Sequence, residues 1–356
     1  METRPNLKPD LRDLPAQAVQ DLVVSLGQKP FRARQILQWL YPHGARSIAG
    51  MTTLSKAFRE RLAGVCRLDD LAPSQVETAA DGTQKLLYTL ADGRRVEGVL
   101  IPEEDHSTLC VSTQVGCRQG CRFCRTARLG FQRNLSPGEI TGQVLAARRL
   151  TAPEQPLTNL VFMGMGEPLD NLENLLIALE HILGDHGLKM SQRKVTVSTV
   201  GLLDRLAILG HATPAALAVS LTAADDELRS RLMPVNRRFP LARLREALNV
   251  YPLKPTRRIT LEYVLLGGVN DQPEHARQLA AWAKGLRCKI NLIPFNPHDG
   301  AEFLPPSPGD LESFQQILID GHLTAIIRQP RGADIAAACG QLAARAQAAE
   351  EGQPTS

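Results

Sequence analysis

Cys117, Cys121 and Cys124 stand in the spacing C-x3-C-x2-C, directly after a strand-like run. Three thiolates so placed can bind three irons of a 4Fe-4S cluster and leave the fourth iron open, the arrangement needed to bind and cleave S-adenosylmethionine. A structural zinc site is the competing chemistry, but zinc takes four protein ligands and its cysteine pairs usually come twice. No second pair occurs in this chain. Ligand number and spacing therefore favour the cluster.

A cluster that cleaves a nucleoside cofactor needs groups to hold it. Gly164-Met165-Gly166-Glu167-Pro168 follows the next strand-like run, where two glycines allow a ligand close to the backbone and Glu167 can take a cationic amine. Ser198, Ser220, Thr222 and Asn296 fall at or just beyond the ends of later runs, where short polar side chains can hydrogen-bond ribose, adenine and carboxylate. Taken singly, each is an ordinary strand-end residue; their shared position is the argument. Cys66 and Cys288 read as buried small hydrophobes. Cys110 lies within the first strand-like run, and Cys339 on a flexible-looking Ala/Gly segment beyond the last one. Either could supply a further ligand, or the two could form a redox pair, and spacing leaves these open.

The elements that must position these residues fall into two patterns. From residue 14 to about 64, Val19, Leu22, Val23 and Leu26, then Ile36, Leu37, Leu40 and Tyr41, then Leu54, Phe58 and Leu62 recur at helical spacing. Gln84 to Ile101 reads as strands with a hairpin turn at Ala91-Asp92-Gly93. From Thr108 strands and helices alternate: strands at 109–115, 157–163, 194–199, 217–221, 259–265 and 288–293, with helices such as 137–149, 172–183 and 274–284 between them. Six β/α units predict an α/β fold, a partial (β/α)6 barrel with functional loops at the carboxyl ends of its strands. A doubly wound open sheet is the alternative, but neither a G-x-G-x-x-G turn after the first strand nor a P-loop motif is present. The division expected is a helical domain over 1–70, a hairpin-bearing linker over 71–107, the barrel over 108–323, a segment carrying Cys339 over 324–345, and a disordered tail over 346–356.

With 356 residues the chain can bury a full α/β core and an appended module. Its seven cysteines, odd in number and without an apolar signal core in METRPNLKPD, argue for reduced thiols and a cytoplasmic protein. No run approaches the ~20 apolar residues needed to cross a bilayer. The net charge of +4 is modest, but residues 1–66 hold ten Lys/Arg against five Asp/Glu, and five arginines with no acid lie between Cys117 and Leu135. That distribution suits a phosphate-backbone ligand.

These residues resemble the radical S-adenosylmethionine RNA methyltransferases of the RlmN/Cfr group, over about residues 14–345. The resemblance is carried by Cys110 through Cys117 (CVSTQVGC), Phe123-Cys124, Gly130-Phe131, Arg133 through Leu135, Gly164 through Pro168, Ile290 through Pro294, Arg331-Gly332 and Cys339 through Leu342. Thr126-Ala127 and Gly130-Phe131 are more similar to the RlmN branch. The resemblance implies that S-adenosylmethionine, two per turnover, methylates Cys339 and, at the cluster, is cleaved to a radical that activates that methyl group for addition to adenine. It further implies that Cys110 helps remove the ring proton and resolves the adduct through a transient disulfide with Cys339, and that Glu97 occupies the catalytic carboxylate position. Carried over by position, Gly166, Glu167, Ser198, Ser220, Leu221, Thr222 and Asn296 match the S-adenosylmethionine contacts, although the family usually has histidine where Thr222 stands. The helical segment resembles the RNA-binding domain, with Lys29, Arg32, Arg34 and Trp39 as contact and packing residues. The implied substrates are carbon 2 of adenine 2503 in 23S rRNA and, in dual-specificity members, adenine 37 of tRNA; the Cfr-like alternative is carbon 8 of the same rRNA adenine. The implied partner is a flavodoxin- or ferredoxin-like electron donor. A different radical enzyme would share the cluster without needing both Cys110 and Cys339, and a zinc-bearing RNA-binding protein would have no use for GMGEP.

Overall fold

Apolar spacing produces three short amphipathic helices first, α1 (Ala16–Ser25), α2 (Phe31–Leu40) and α3 (Lys56–Val65). The structure is a computed structural model describing residues 8–298 and 300–342, so the expected tail from 346 and residues 343–345 lie outside the described residues. Ser55 caps α3 by accepting the Phe58 N–H at 3.3 Å. The helices bury Val19, Val23, Ile36, Leu40, Phe58 and Leu62 in a cluster of their own, which Leu145 from a later helix joins. A large apolar side chain fully buried in such a cluster contributes about 1.5–3 kcal/mol.

Strands β1 (Pro73–Thr78), β2 (Gln84–Thr89) and β3 (Arg95–Pro102) form an antiparallel meander, with the β2–β3 turn at the expected Ala91-Asp92-Gly93. β3 pairs antiparallel with β4 (Ser107–Cys110), from which the parallel part of the sheet begins. The single strand expected over 109–115 is instead broken: the chain leaves the sheet after Val111 and forms a separate hairpin, β5 (Gln114–Gly116) with β6 (Phe131–Asn134), on either side of the short α4 (Arg125–Arg128). Then follow α5 (Pro137–Arg148), β7 (Leu157–Phe162), α6 (Leu172–Leu183), β8 (Val195–Thr199), α7 (Leu203–Ala212), β9 (Ala216–Ser220), α8 (Asp226–Leu232), α9 (Leu241–Asn249), β10 (Ile259–Leu265), α10 (Pro273–Ala283), β11 (Cys288–Pro294), α11 (Pro308–Asp320) and β12 (Ala325–Ile327).

The ten-stranded sheet runs β1-β2-β3-β4-β7-β8-β9-β10-β11-β12, parallel from β4 onward. Six strands, β4 and β7 to β11, are the expected β/α units, and β12 adds a short seventh parallel strand. Thr108, Asn159, Thr196, Ala218, Thr260 and Lys289, one from each of the six, line a common cavity, so the sheet curves into a partial barrel. No helix among the described residues is long and apolar enough to cross a membrane.

Candidate active site

The cysteine loop is shaped by what interrupts the first barrel strand. Beyond Cys110 the side-chain amide of Gln143 on α5 bonds both backbone groups of Ser112, and the Ser112 hydroxyl donates to the Glu97 carbonyl at 2.6 Å. The β5–β6 hairpin then closes the base of the loop, with Cys117 N–H bonded to Gly130 O at 3.1 Å. Cys117, Cys121 and Cys124 all face one cavity at the carboxyl ends of the strands. Burial pushes the Cys117 thiol up to about 12 and raises the Cys121 thiol well above its ordinary value. Thiols so buried ionise only beside strong positive charge, which metal supplies. Among the described residues no three side chains converge on a point for a single ion. Three thiols lining one cavity fit ligands to separate irons of a cluster.

Glu167 comes to the same cavity through the β7 turn. Gly166 has φ +99°, and a Cβ there would lie 2.5 Å from Gln114 Cβ, so only glycine permits the approach. The Glu167 carboxylate is buried and accepts from Thr199 Oγ1 at 2.7 Å, Leu169 N–H at 3.0 Å and Val200 N–H at 2.9 Å. Burial outweighs these bonds and pushes its pKa up to about 7. A cationic ammonium arriving there would be matched by a nearby carboxylate.

Ser198, Ser220 and Asn296 also line the cavity, as their strand-end positions predict. Leu221 and Thr222 do not: both side chains are fully buried, their N–H groups bond Glu262 O, and Thr222 holds φ +60° with its hydroxyl unpartnered. Any contact from these two positions would come from the backbone. Glu262 escaped the sequence reading. It sits mid-strand in β10, accepts from Ser198 Oγ at 3.0 Å, and lines both this cavity and the barrel interior. The available signal was a lone carboxylate inside an apolar parallel strand, where burial is the rule.

Cys339, like Glu262, lines both cavities, and Cys110 lines the interior one. Cys110 is buried, whereas Cys339 is exposed to the open cavity; the protein crowded around each raises both thiols, Cys339 to about 11, and each feels the Glu262 carboxylate. The segment carrying Cys339 is tied down, contrary to the flexibility its Ala/Gly composition led us to expect. Asp81 accepts Gly332 N–H, Lys85 Nζ reaches Ile335 O at 2.7 Å, Arg125 N–H bonds Gly340 O at 2.8 Å, and Asn296 Nδ2 reaches Cys339 O at 3.4 Å. Backbone and side-chain bonds outside regular secondary structure have no periodic signature. Glu97 is buried in β3, two positions along from Val99, which lines the interior cavity; Glu97 itself lines neither cavity.

On the helical segment, Lys29 and Arg34 are exposed, Arg32 bonds Gln35 and stacks over Phe31 at 4.9 Å, and Trp39 Nε1 donates to Thr53 Oγ1 at 2.7 Å.

A partial barrel with three cysteines beyond its first parallel strand, and a carboxylate with strand-end hydroxyls around one cavity, defines a radical S-adenosylmethionine enzyme. The Radical SAM superfamily matches residues 111–280, and the family described as Ribosomal RNA large subunit methyltransferase N-terminal domain matches residues 9–68. The dual-specificity RNA methyltransferase RlmN of Anaeromyxobacter dehalogenans is 51% identical over 342 residues, 94% of this chain and 92% of that one. That of Desulfosudis oleivorans is 52% identical over 316 residues, 88% of this chain and 85% of its own. A radical SAM methyltransferase from Sphaerobacter thermophilus superposes with a TM-score of 0.88 at 42% identity, covering 94% of this chain and 99% of that one. The chain belongs to the RlmN family of radical S-adenosylmethionine RNA methyltransferases. It is an enzyme that uses a 4Fe-4S cluster and S-adenosylmethionine.

Proposed function

We propose that the protein methylates carbon 2 of adenine at position 2503 of 23S rRNA and at position 37 of tRNA, with Cys339 as methyl carrier and Cys110 as the resolving thiol. One observation carries this reading: Cys339 lies where the cofactor cavity and the barrel interior meet, and Cys110 lines that interior. A carrier must face its methyl donor on one side and the nucleobase on the other.

Cys117, Cys121 and Cys124 hold the cluster in this reading, while Gly166, Glu167, Ser198, Ser220 and Asn296 hold S-adenosylmethionine, with Leu221 and Thr222 contributing backbone only. The bound cofactors supply the methyl group and the hydrogen-abstracting radical. Cys339 offers its sulfur to the methyl group and presents it toward the interior, where Cys110 helps remove the ring proton. The Cys110 thiolate then attacks the Cys339 sulfur, and the sulfur–methylene bond breaks with its electron pair going to carbon, which takes up a proton to become the methyl group. The disulfide left on the protein is reduced by an external thiol before the next turnover. Glu97 supports this end of the reaction as a buried carboxylate near the top of β3. Carbon 2 of adenine is too electrophilic to attack a sulfonium methyl, which is why a polar transfer would not serve. Residues 1–70 act as the RNA-binding part, 71–107 as linker, 108–323 as catalytic barrel and 324–345 as carrier segment, in a cytoplasmic protein reduced by a flavodoxin- or ferredoxin-like donor.

The test is mass-spectrometric mapping of adenine methylation in rRNA and tRNA from cells with and without the protein. Loss of 2-methyladenine at both positions is expected; loss of 8-methyladenine instead would overturn the carbon assignment, and an unchanged tRNA would remove the second substrate.

A further inference from the structure

The cluster is reduced by one electron from outside the chain, and the point of entry follows from which side of the cysteine loop faces solvent. Cys117, Gln119, Cys121 and Phe123 line the inner cavity, whereas the alternate residues Arg118, Gly120 and Arg122 are exposed. A single layer of chain therefore separates the thiol wall from water. The end of α8 packs against that layer: Arg122 N–H bonds Leu232 O at 3.0 Å, and a Cβ at Gly120 would lie 3.6 Å from Pro234. Beside Leu232 and Pro234 in the chain stand three further exposed cations, Arg231, Arg237 and Arg238. The carboxylates paired into the surface are Asp170 near Arg118, Glu302 on Arg122 and Asp204 on Arg238, while the acids of α8 lie in its first turn, at the far end from Leu232.

We propose that this outer arginine surface, Arg118 and Arg122 with Arg231, Arg237 and Arg238, docks an acidic one-electron carrier protein, which loses one electron to the cluster through the exposed face of the loop. The inference rests on the family reading of the cysteine triad. RNA, the other polyanion this enzyme meets, has a different requirement: its adenine must reach Cys110 and Cys339, and the cavity holding them carries its own cations, Arg193, Lys194, Lys289 and Arg328. The outer surface is walled off from those thiols by the cysteine loop itself. Its arginines alternate with fixed carboxylates, a pattern that orients a folded acidic partner as well as attracting it.

The experiment uses cluster-loaded protein under anaerobic stopped flow, with prereduced flavodoxin as the donor. Combining Arg231→Glu, Arg237→Glu and Arg238→Glu is expected to slow donor-dependent cluster reduction at least ~tenfold at low ionic strength. The gap should close as salt is raised. Iron content, reduction by dithionite and RNA affinity should match the unsubstituted protein. An unchanged donor-dependent rate would overturn the proposal, and loss of RNA affinity with that rate preserved would give the surface to RNA. The unsubstituted protein provides a second measurement: its donor-dependent rate must fall with ionic strength, and a salt-independent rate would overturn the proposal without any variant. Failure of the cluster reading would show itself separately, as unsubstituted protein that dithionite does not reduce.

Discussion

The side-chain amide of Gln143 replaces a neighbouring strand for Ser112: Oε1 accepts the Ser112 N–H and Nε2 donates to the Ser112 carbonyl, both at 3.0 Å. Both residues are fully buried, so these two bonds satisfy backbone groups that would otherwise be orphaned where the chain turns out of the sheet toward the cysteine loop. Gln143→Leu keeps the approximate volume and removes both. Each unsatisfied group costs about 1–3 kcal/mol, so a loss of about 2–6 kcal/mol in denaturant titrations is expected, together with lower iron occupancy after reconstitution. Unchanged stability and iron content would show that the loop is shaped from elsewhere.

The thiol wall makes a prediction that separates ligands from bystanders. Cys117→Ala, Cys121→Ala and Cys124→Ala should each abolish a stable four-iron cluster and reductive cleavage of S-adenosylmethionine. Cys66→Ala and Cys288→Ala, buried away from the cavity, should retain both, with only a small packing cost. Iron and sulfide analysis after anaerobic reconstitution decides the matter; a triple variant of the triad that still holds four irons would remove these residues from the role.

The two remaining thiols divide their work by position. Cys339→Ala should leave the cluster intact and produce neither methylated protein nor methylated RNA, because the sulfur between the two cavities is gone. Cys110→Ala should instead accumulate protein covalently joined to RNA, since no second thiol completes the exchange. Denaturing gels with labelled RNA read this directly. Turnover at the normal rate by the Cys110 variant, with no trapped adduct, would contradict its assignment.

Periodic features were legible in the chain and tertiary substitutions were not. The helix expected over 172–183 is α6 to the residue, and Pro137 to Arg149 differs from α5 by one position, because apolar spacing and the Ser136 and Glu139 capping box act locally. The break in the first strand was hidden because Leu109, Val111 and Val115 keep strand spacing through it, while its cause, Gln143, lies 31 residues away. β1 was missed because it is a polar, largely exposed edge strand with no alternating core face. At the site, the triad, Glu167, Ser198, Ser220 and Asn296 share one cavity as their strand-end positions imply. The inward turn of the Thr222 side chain depends on a left-handed backbone that residue types do not announce.

His181 supplies a pH-dependent contact between the barrel and the helical segment. It is buried on α6, stacks on Tyr41 at 4.6 Å between ring centroids, and its Nε2 lies 3.0 Å from Leu14 O. Burial depresses its pKa below the ordinary histidine value, only partly offset by Glu180 and the Leu14 carbonyl. A group held neutral in this way binds fewer protons folded than unfolded. Its stabilisation is therefore complete above pH 6.5 and is lost as pH falls through the depressed folded value, at up to about 1.4 kcal/mol per pH unit. Asp10 and Asp13 at the same junction, raised above 3.8 by burial, act with the opposite sign at lower pH, so the informative quantity is the difference from a His181→Gln variant. Between pH 7 and pH 5 the unsubstituted protein should lose more stability than the variant, and amide exchange in α1 to α3 should rise with it. Parallel pH profiles for the two proteins would show that His181 does not carry the junction's acid sensitivity.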